Sequence, residues 1–89
     1  MSKTPSTDLH LGCLRAELRA ARGRDGRTNA DIADALNIPP STLSGWLTGS
    51  APPPRLAQLF DLCRELDTTV AEVATAANQQ ATKMAGRKP

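Results

Sequence analysis

The stretch that most constrains the fold is residues 28–49, with the sequence TNADIADALNIPPSTLSGWLTG. Apolar residues recur at helical spacing on both sides of Asn37, and a pair of prolines follows one residue later. Asparagine tolerates the left-handed conformation in which many helices end, and proline suits the first position of a new helix. The stretch therefore predicts two short helices joined by a tight turn, over residues 29–37 and 40–48.

Both of these helices carry end signals. Thr28 and Asp31 approximate a capping box at the start of the first, with a shorter acid than the usual glutamate, and Gly49 ends the second. Ala33 is small enough to let the second helix approach closely. Trp46 is expected to pack beneath the pair, the alternative being an exposed aromatic that contacts DNA or a partner. The apolar positions expected to face the core are Ile32, Leu36, Ile38, Leu43, Trp46 and Leu47.

Three further helices are predicted around this pair. Leucines at helical spacing predict a first helix capped by Thr7 or Asp8, and two glycines predict a flexible basic loop over residues 23–27. A proline-rich spacer then leads to a fourth helix, and a short break leads to a fifth, for which residues 79–85 are left open. The expected bounds are residues 7–22 for the first helix, 54–66 for the fourth and 70–78 for the fifth.

The length of 89 residues suits a single small domain. We expect an all-α fold, a compact five-helix bundle, over residues 7–78. A flexible arm over residues 1–6 precedes it, and a basic tail over residues 79–89 follows, either free or as an extension of the last helix. The chain has no apolar run of about 18 residues and no signal-peptide core, so we expect no membrane partner and a cytoplasmic location.

The sequence shows no arrangement typical of catalysis or metal binding. Cys13 and Cys63 lie too far apart for a zinc knuckle or a redox pair, so each is expected to fill core volume. A disulfide would require their Cα atoms to lie within about 7 Å. His10 is the only histidine and has no paired cysteine or serine. We therefore expect no enzyme, no cofactor, no metal and no small-molecule substrate.

The net charge of +2 is unevenly distributed along the chain. No charged residue occurs between Asn37 and Pro54, whereas arginines are concentrated just before this region. They are Arg15, Arg19, Arg22, Arg24 and Arg27. A basic segment of this kind either binds nucleic-acid phosphates or forms a solvated surface, and the charge pattern alone favours neither.

Several segments together resemble one family of DNA-binding domains. The sequence TNADIA over residues 28–33, LNI over 36–38 and STLSGW over 41–46 are similar to the start, turn and recognition helix of the XRE family. These are phage-repressor-like helix-turn-helix domains, and residues 54–73 resemble their last two helices. The resemblance covers roughly residues 9–76 and implies that the third helix enters the major groove of DNA.

The resemblance also implies which residues contact DNA. Base contacts are expected from Pro40, Ser41, Thr42, Ser44 and Gly45. Phosphate contacts are expected from Asn29, Thr48, Ser50 and Arg55. In addition, Arg24 and Arg27 in the basic loop are expected to lie along the DNA backbone or to reach into a minor groove, with a solvated loop as the alternative.

The chain departs from the family in two respects. The family usually carries long polar side chains on the exposed face of the third helix, where this chain has short hydroxyls and a glycine. Short hydroxyls discriminate poorly between bases, so shape, water and phosphate contacts are expected to carry more of the binding. The loop before the second helix is also longer and more basic than usual, with Arg27 where an apolar residue is expected.

The leading hypothesis is a bacterial or phage transcription regulator, a repressor that binds double-stranded DNA selectively in the nucleoid. It is expected to bind as a homodimer, because one small domain makes few contacts. The expected dimer surface combines the end of the fourth helix with Ala74, Ala77, Ala81 and Met84. The alternative is a protein-interaction module, such as an antitoxin-like or anti-repressor protein. The uncharged third helix, Leu47 beside Trp46 and the proline run favour it.

Overall fold

The computed structural model describes residues 6–86, which form five α-helices and contain no β-strand. The helices are α1 (Thr7–Asp25), α2 (Asn29–Ala35), α3 (Pro40–Thr48), α4 (Leu56–Glu65) and α5 (Val70–Gly86). This confirms the predicted all-α bundle of five helices. The expected arm, apart from Ser6, and the last three residues of the expected tail lie outside the described residues.

The first helix begins at the predicted residue but ends three residues later than its leucine pattern predicts. Its cap is Ser6, whose Oγ accepts a hydrogen bond of 3.1 Å from the backbone N–H of Leu9, in place of Thr7 or Asp8. The helix also continues through Gly23 and ends only at Gly26, which has a left-handed φ of 83°. A glycine inside a helix costs only about 1 kcal/mol, so Gly23 does not break α1. The predicted flexible loop over residues 23–27 is therefore mostly helix.

The turn between α2 and α3 is closed by the hydrogen bonds of a Schellman motif. Asn37 has the left-handed φ of 57° predicted for it. Its N–H donates to the carbonyl of Asp34, and the N–H of Ile38 donates to that of Ala33, each over 3.0 Å. The prediction for α2 was two residues too long, because Leu36 and Asn37 belong to this motif. At its start, the hydroxyl of Thr28 caps α2 as predicted.

The third helix has the predicted bounds, and the fourth begins slightly later than expected. Pro40 opens α3, and Gly49 ends it with a left-handed φ of 90°. Pro54 does not open α4, because Arg55 is still extended and forms the N-cap. The side chain of Gln58 then accepts a hydrogen bond of 2.9 Å from the backbone N–H of Arg55. The extended spacer therefore continues through Arg55, the residue immediately before α4.

One main cluster of apolar residues joins all five helices. Trp46 is only 5% exposed and packs within it, as predicted. Both cysteines are free and buried, also as expected, and Cys63 belongs to this cluster. The buried members are Leu18, Ala21, Ile32, Ala33, Leu43, Trp46, Leu47, Leu62, Cys63, Leu66 and Val73.

A second, smaller cluster explains why α5 continues past residue 78. Cys13 of α1 packs against Ala77 and Ala81, and Ala81 is fully buried. The two helices run antiparallel, since the start of α1 lies beside Met84 and its end lies beside Glu72. Two of the alanines expected to form a dimer surface are therefore covered by α1 of the same chain. Residues 79–86, expected either as a free tail or as an extension of the last helix, form the last turns of α5.

Candidate nucleic-acid interface

The polar side of α3 faces outward because its apolar side is held in the core. Leu43, Trp46 and Leu47 are all buried, and they lie on one side of the helix. At 3.6 residues per turn, Ser41 and Thr48 project from the opposite side. Both are exposed, as is Pro40 at the start of the helix. The half-buried residues Thr42 and Ser44 flank this outer side of α3.

Gly45 also lies on the outer side of α3, but it is buried. A Cβ atom on Gly45 would lie 2.6 Å from the Cβ of Ala51. The carbonyl of Gly45 accepts hydrogen bonds from the N–H of Gly49 over 2.9 Å and from that of Ala51 over 3.4 Å. The loop after α3 thus folds back over the second turn of the helix. Gly45 makes room for this loop and offers no exposed surface for a base contact.

Two hydroxyl groups meet where α3 ends. The Oγ1 of Thr48 donates a hydrogen bond of 2.9 Å to the carbonyl of Ser44. The same atom lies 3.2 Å from the Oγ of Ser50, and both residues are exposed. Two of the predicted phosphate contacts are therefore adjacent, on the side of α3 that the loop leaves open.

Three arginines of α1 border the helix pair along one side of α1. The guanidinium of Arg15 lies over Gly49, with its Nη1 3.2 Å and its Cζ 3.3 Å from where a Cβ on that glycine would be. Arg19 donates a hydrogen bond to the carbonyl of Leu47 near the end of α3. Arg22 donates one of 3.4 Å to the carbonyl of Arg27, just before α2. The side chains therefore extend from the end of α3 to the start of α2.

The role of these arginines was only partly visible in the sequence. Their spacing of three and four residues places Arg15, Arg19 and Arg22 on one face of a helix. That spacing was the available signal, but it does not show which element the face meets. The structure adds this information, since Arg15 and Arg19 contact the end of α3.

Arg24 lies on the other side of α1. Nine residues, or about two and a half turns, separate it from Arg15, so the two side chains point in roughly opposite directions. Arg24 lines a groove with Glu17, Thr68 and Glu72 beside the start of α5. The structure thus does not bring Arg24 together with the other predicted phosphate contacts at α3.

Arg27 is engaged by carboxylates instead of facing solvent as a free charge. Its guanidinium donates two hydrogen bonds to the carboxylate of Asp25. It also donates to Oε1 of Glu65 over 2.6 Å and to the backbone carbonyl of Glu65 over 2.7 Å. These bonds hold the pKa of Asp25 below its ordinary value and raise the pKa of Arg27. Arg27 therefore ties the end of α1 to the end of α4, which differs from the expected backbone contact.

The two remaining predicted phosphate contacts lie at helix starts. Asn29 is the first residue of α2 and is half-buried, and its Oδ1 is buried without a hydrogen-bond partner among the described residues. Arg55 caps α4 and is exposed. The hydroxyls of Thr48 and Ser50 lie between these two positions in the sequence.

Comparison with known proteins agrees with this arrangement. A family model described as a helix-turn-helix domain matches residues 14–76, more than two thirds of the chain. The chain belongs to the helix-turn-helix family. This is a family of XRE-like DNA-binding domains, so the resemblance found in the sequence is confirmed. Searches of curated proteins and of solved structures give no significant match.

The matched region of this helix-turn-helix domain begins at Leu14, so it includes Arg15 and Arg19 of α1. It ends at Ala76, before the part of α5 that packs against Cys13. Within residues 6–86, acidic, cysteine and histidine side chains form no group of three that could hold a metal ion. None of the five helices is both long and apolar enough to span a bilayer.

Proposed function

We propose that this helix-turn-helix domain binds double-stranded DNA sequence-selectively and regulates transcription in a bacterium or phage, acting as a repressor. In this proposal α3 enters the major groove, whose width admits one α-helix. The observation that carries it is the outward, uncharged hydroxyl side of α3, fixed by three buried apolar residues in a domain of a DNA-binding family. The protein acts on the nucleoid, in the cytoplasm, and has no catalytic role.

The proposed base contacts are concentrated in the first turns of α3. Pro40 and Ser41 are exposed there, and Thr42 and Ser44 are half-buried beside them. Gly45 is not included, because Ala51 covers it. The proposed phosphate contacts are Asn29, Thr48, Ser50 and Arg55. Arg24 is not included because it lies on the opposite side of α1 from these residues. Arg27 is not included because it is paired with the carboxylates of Asp25 and Glu65.

This geometry favours modest base selectivity. A hydroxyl donates or accepts with little discrimination, and a threonine methyl meets the methyl of thymine. With the second turn of α3 covered by the loop, only short side chains reach the groove. Selectivity in this proposal therefore depends on water and on the shape of the DNA as well as on direct contacts.

The test is selection of bound duplexes from a random pool, followed by titration of the recovered site at several salt concentrations. Each phosphate contact contributes about −0.9 to the slope of log affinity against log salt concentration, so we expect a slope of about −3 to −6. Recovery of one enriched sequence would support selective binding. The proposal would be wrong if no duplex were bound at about 50 mM salt.

We further propose that the domain binds DNA as a homodimer, through an apolar patch on α4. Leu56 and Phe60 are 65% and 49% exposed, and four residues separate them, so they share one face. This patch replaces the alanine seam, of which Ala77 and Ala81 are buried in the chain. We expect a symmetric selected site and a dimer in sedimentation on that site, which Phe60→Ser would dissociate. Monomers at tens of micromolar, on and off DNA, would contradict the dimer.

The alternative function, a protein-interaction module of the antitoxin-like or anti-repressor kind, rests on the same patch. Leu47, which favoured it in the sequence, is only 2% exposed and therefore cannot contact a partner. The exposed pair Leu56 and Phe60 is the observation that still supports it. The two functions differ in duplex binding, which the alternative does not require.

A further inference from the structure

We propose that Arg15 and Arg19 of α1 form a phosphate-binding site with the hydroxyl groups of Thr48 and Ser50, beside the end of α3. The ligand is a phosphate of the DNA backbone, so this inference rests on the proposed function. It adds a contribution from α1 to an interface otherwise assigned to α2, α3 and the start of α4.

The first observation is that both arginines are held at the end of α3. The guanidinium of Arg15 lies over Gly49, within 3.5 Å of the position of a Cβ. Gly49 stands between Thr48 and Ser50, whose hydroxyl oxygens lie 3.2 Å apart. Arg19 is fixed in the same region by its hydrogen bond to the carbonyl of Leu47. Two cationic groups and two hydroxyls thus lie around the end of α3, where Arg19, Thr48 and Ser50 are exposed and Arg15 is half-buried.

The second observation is that Arg15 and Arg19 lack the carboxylate partners that Arg27 and Arg64 have. Arg27 is paired with Asp25 and Glu65, and Arg64 is paired with Asp61. Among the described residues, neither Arg15 nor Arg19 lies within ion-pair distance of a carboxylate. No carboxylate of the described residues therefore neutralises their positive charges. Because α3 carries no charged residue, these two arginines supply the positive charge beside it.

The third observation concerns spare hydrogen-bond donors. A guanidinium has five N–H donors, and Arg19 uses one of them on Leu47. The Nε of Arg15 is buried and has no hydrogen-bond partner among residues 6–86. Capping of the α3 carbonyls accounts for the bond made by Arg19, since cations favour a helix C-terminus. It does not account for Arg15, whose Nη groups have no hydrogen-bond partner among residues 6–86, are not buried and are available to a phosphate.

The experiment measures duplex affinity against salt for Arg15→Gln, Arg19→Gln and the double variant, on the selected site and on an unrelated duplex. Loss of one phosphate contact should reduce the magnitude of the slope by about 0.9 and the affinity by about eightfold at 0.1 M salt. The loss should be the same for both duplexes, because phosphates carry no sequence information. Arg64→Gln removes an equal charge from α4 and should leave the slope unchanged.

Two further variants separate phosphate binding from a purely structural role. Arg15→Lys and Arg19→Lys retain the charge, so they should retain the salt slope while binding less tightly. Thermal unfolding of every variant identifies those that bind weakly because they unfold. If only capping matters, the glutamine variants will melt at lower temperature and keep the wild-type slope.

The experiment distinguishes failure of the proposed function from failure of the phosphate-binding site. Wild-type protein that binds no duplex at about 50 mM salt would overturn both the proposed function and this site. Wild-type protein that binds, with Arg15→Gln and Arg19→Gln giving the same slope as Arg64→Gln, would overturn the site alone. A salt slope that is reduced in Arg15→Gln and Arg19→Gln, and is retained in Arg15→Lys and Arg19→Lys, would support the phosphate-binding site.

Discussion

The methyl group of Ala51 lies over Gly45 so closely that a Cβ on the glycine would be 2.6 Å from it. The N–H of Ala51 also donates to the carbonyl of Gly45. The pair fixes the loop after α3 against the outer side of that helix. It explains why α3 carries a glycine at this position on its outer side.

We predict that Gly45→Ala destabilises the domain. Alanine is better than glycine in a helix by about 1 kcal/mol, but overpacking of a close contact costs about 1 to 3 kcal/mol. We therefore expect a net loss of up to about 2 kcal/mol, measured as the free energy of unfolding in denaturant. The loop should move at the same time, which amide chemical shifts of Ser50 and Ala51 would report.

The matched control for this prediction is Gly45→Ala combined with Ala51→Gly. Removing the methyl group of Ala51 relieves the contact and leaves the gain in helix propensity. The double variant should therefore be more stable than expected from the sum of the two single changes. Strictly additive effects would show that the contact does not constrain the loop.

Arg27 gives a prediction about pH. Its hydrogen bonds to Asp25 hold the pKa of that carboxyl below the ordinary value in the folded state. The ionised pair therefore stabilises the fold fully above the ordinary aspartate pKa, and this contribution is lost as the pH falls through the lower folded value. We expect Arg27→Gln to lower the melting temperature by a few degrees at pH 7 and by less near pH 2.

The control for this prediction is Arg64→Gln, which breaks a much more exposed pair with Asp61. Such pairs contribute little to stability, so its melting temperature should follow the wild type across the pH range. Parallel pH curves for the wild type and Arg27→Gln would contradict the assigned role of Arg27.

The sequence predicted the parts of the fold that depend on neighbouring residues. The cap at Thr28, the left-handed Asn37 and the end of α3 at Gly49 all follow from local chemistry. The predicted end of α1 was wrong because the tendency of Gly23 to break a helix is weak compared with the packing of a long helix. The extent of α5 depends on burial of Ala81 against α1, a contact between distant parts of the chain.

The candidate site shows the same division. Helical periodicity predicted that Leu43, Trp46 and Leu47 would face the core, and the resemblance implied that Ser41 and Thr48 contact DNA. Ser41 and Thr48 are both exposed. The contact of Ala51 with Gly45 could not be predicted, because it depends on the path of the loop that follows α3. The partners of Arg27 include Glu65, which belongs to another helix and is 38 residues away in sequence. Charge counting along the chain identifies basic residues but not the carboxylates that fold against them.

The two cysteines should react with thiol reagents at different rates. Cys63 is 1% exposed, and burial raises the pKa of its thiol, so little thiolate is available at pH 8. The Sγ of Cys13 lies 3.8 Å from the Sδ of Met84, in the last turns of α5. Helix ends open locally more readily than core elements, so Cys13 should be alkylated faster than Cys63 in native buffer.

Mass spectrometry of digested, alkylated protein checks this order. Both cysteines should react rapidly and equally in about 6 M guanidinium chloride, where the fold no longer protects them. Ala81→Asp, which places a charge between α1 and α5, should accelerate alkylation of Cys13 more than that of Cys63. Native reaction of Cys63 at its unfolded rate would contradict its burial in the main cluster.

Base and phosphate contacts should respond differently to loss of a hydroxyl group. Ser41 projects from the first turn of α3, whereas Ser50 follows its end. If Ser41 contacts a base, Ser41→Ala should weaken binding to the selected duplex by about two- to tenfold and leave an unrelated duplex unaffected. Ser50→Ala should weaken both duplexes alike, because its proposed partner is a phosphate. Competition between the two duplexes measures the ratio directly, and an equal loss on both for Ser41→Ala would remove it from the proposed base contacts.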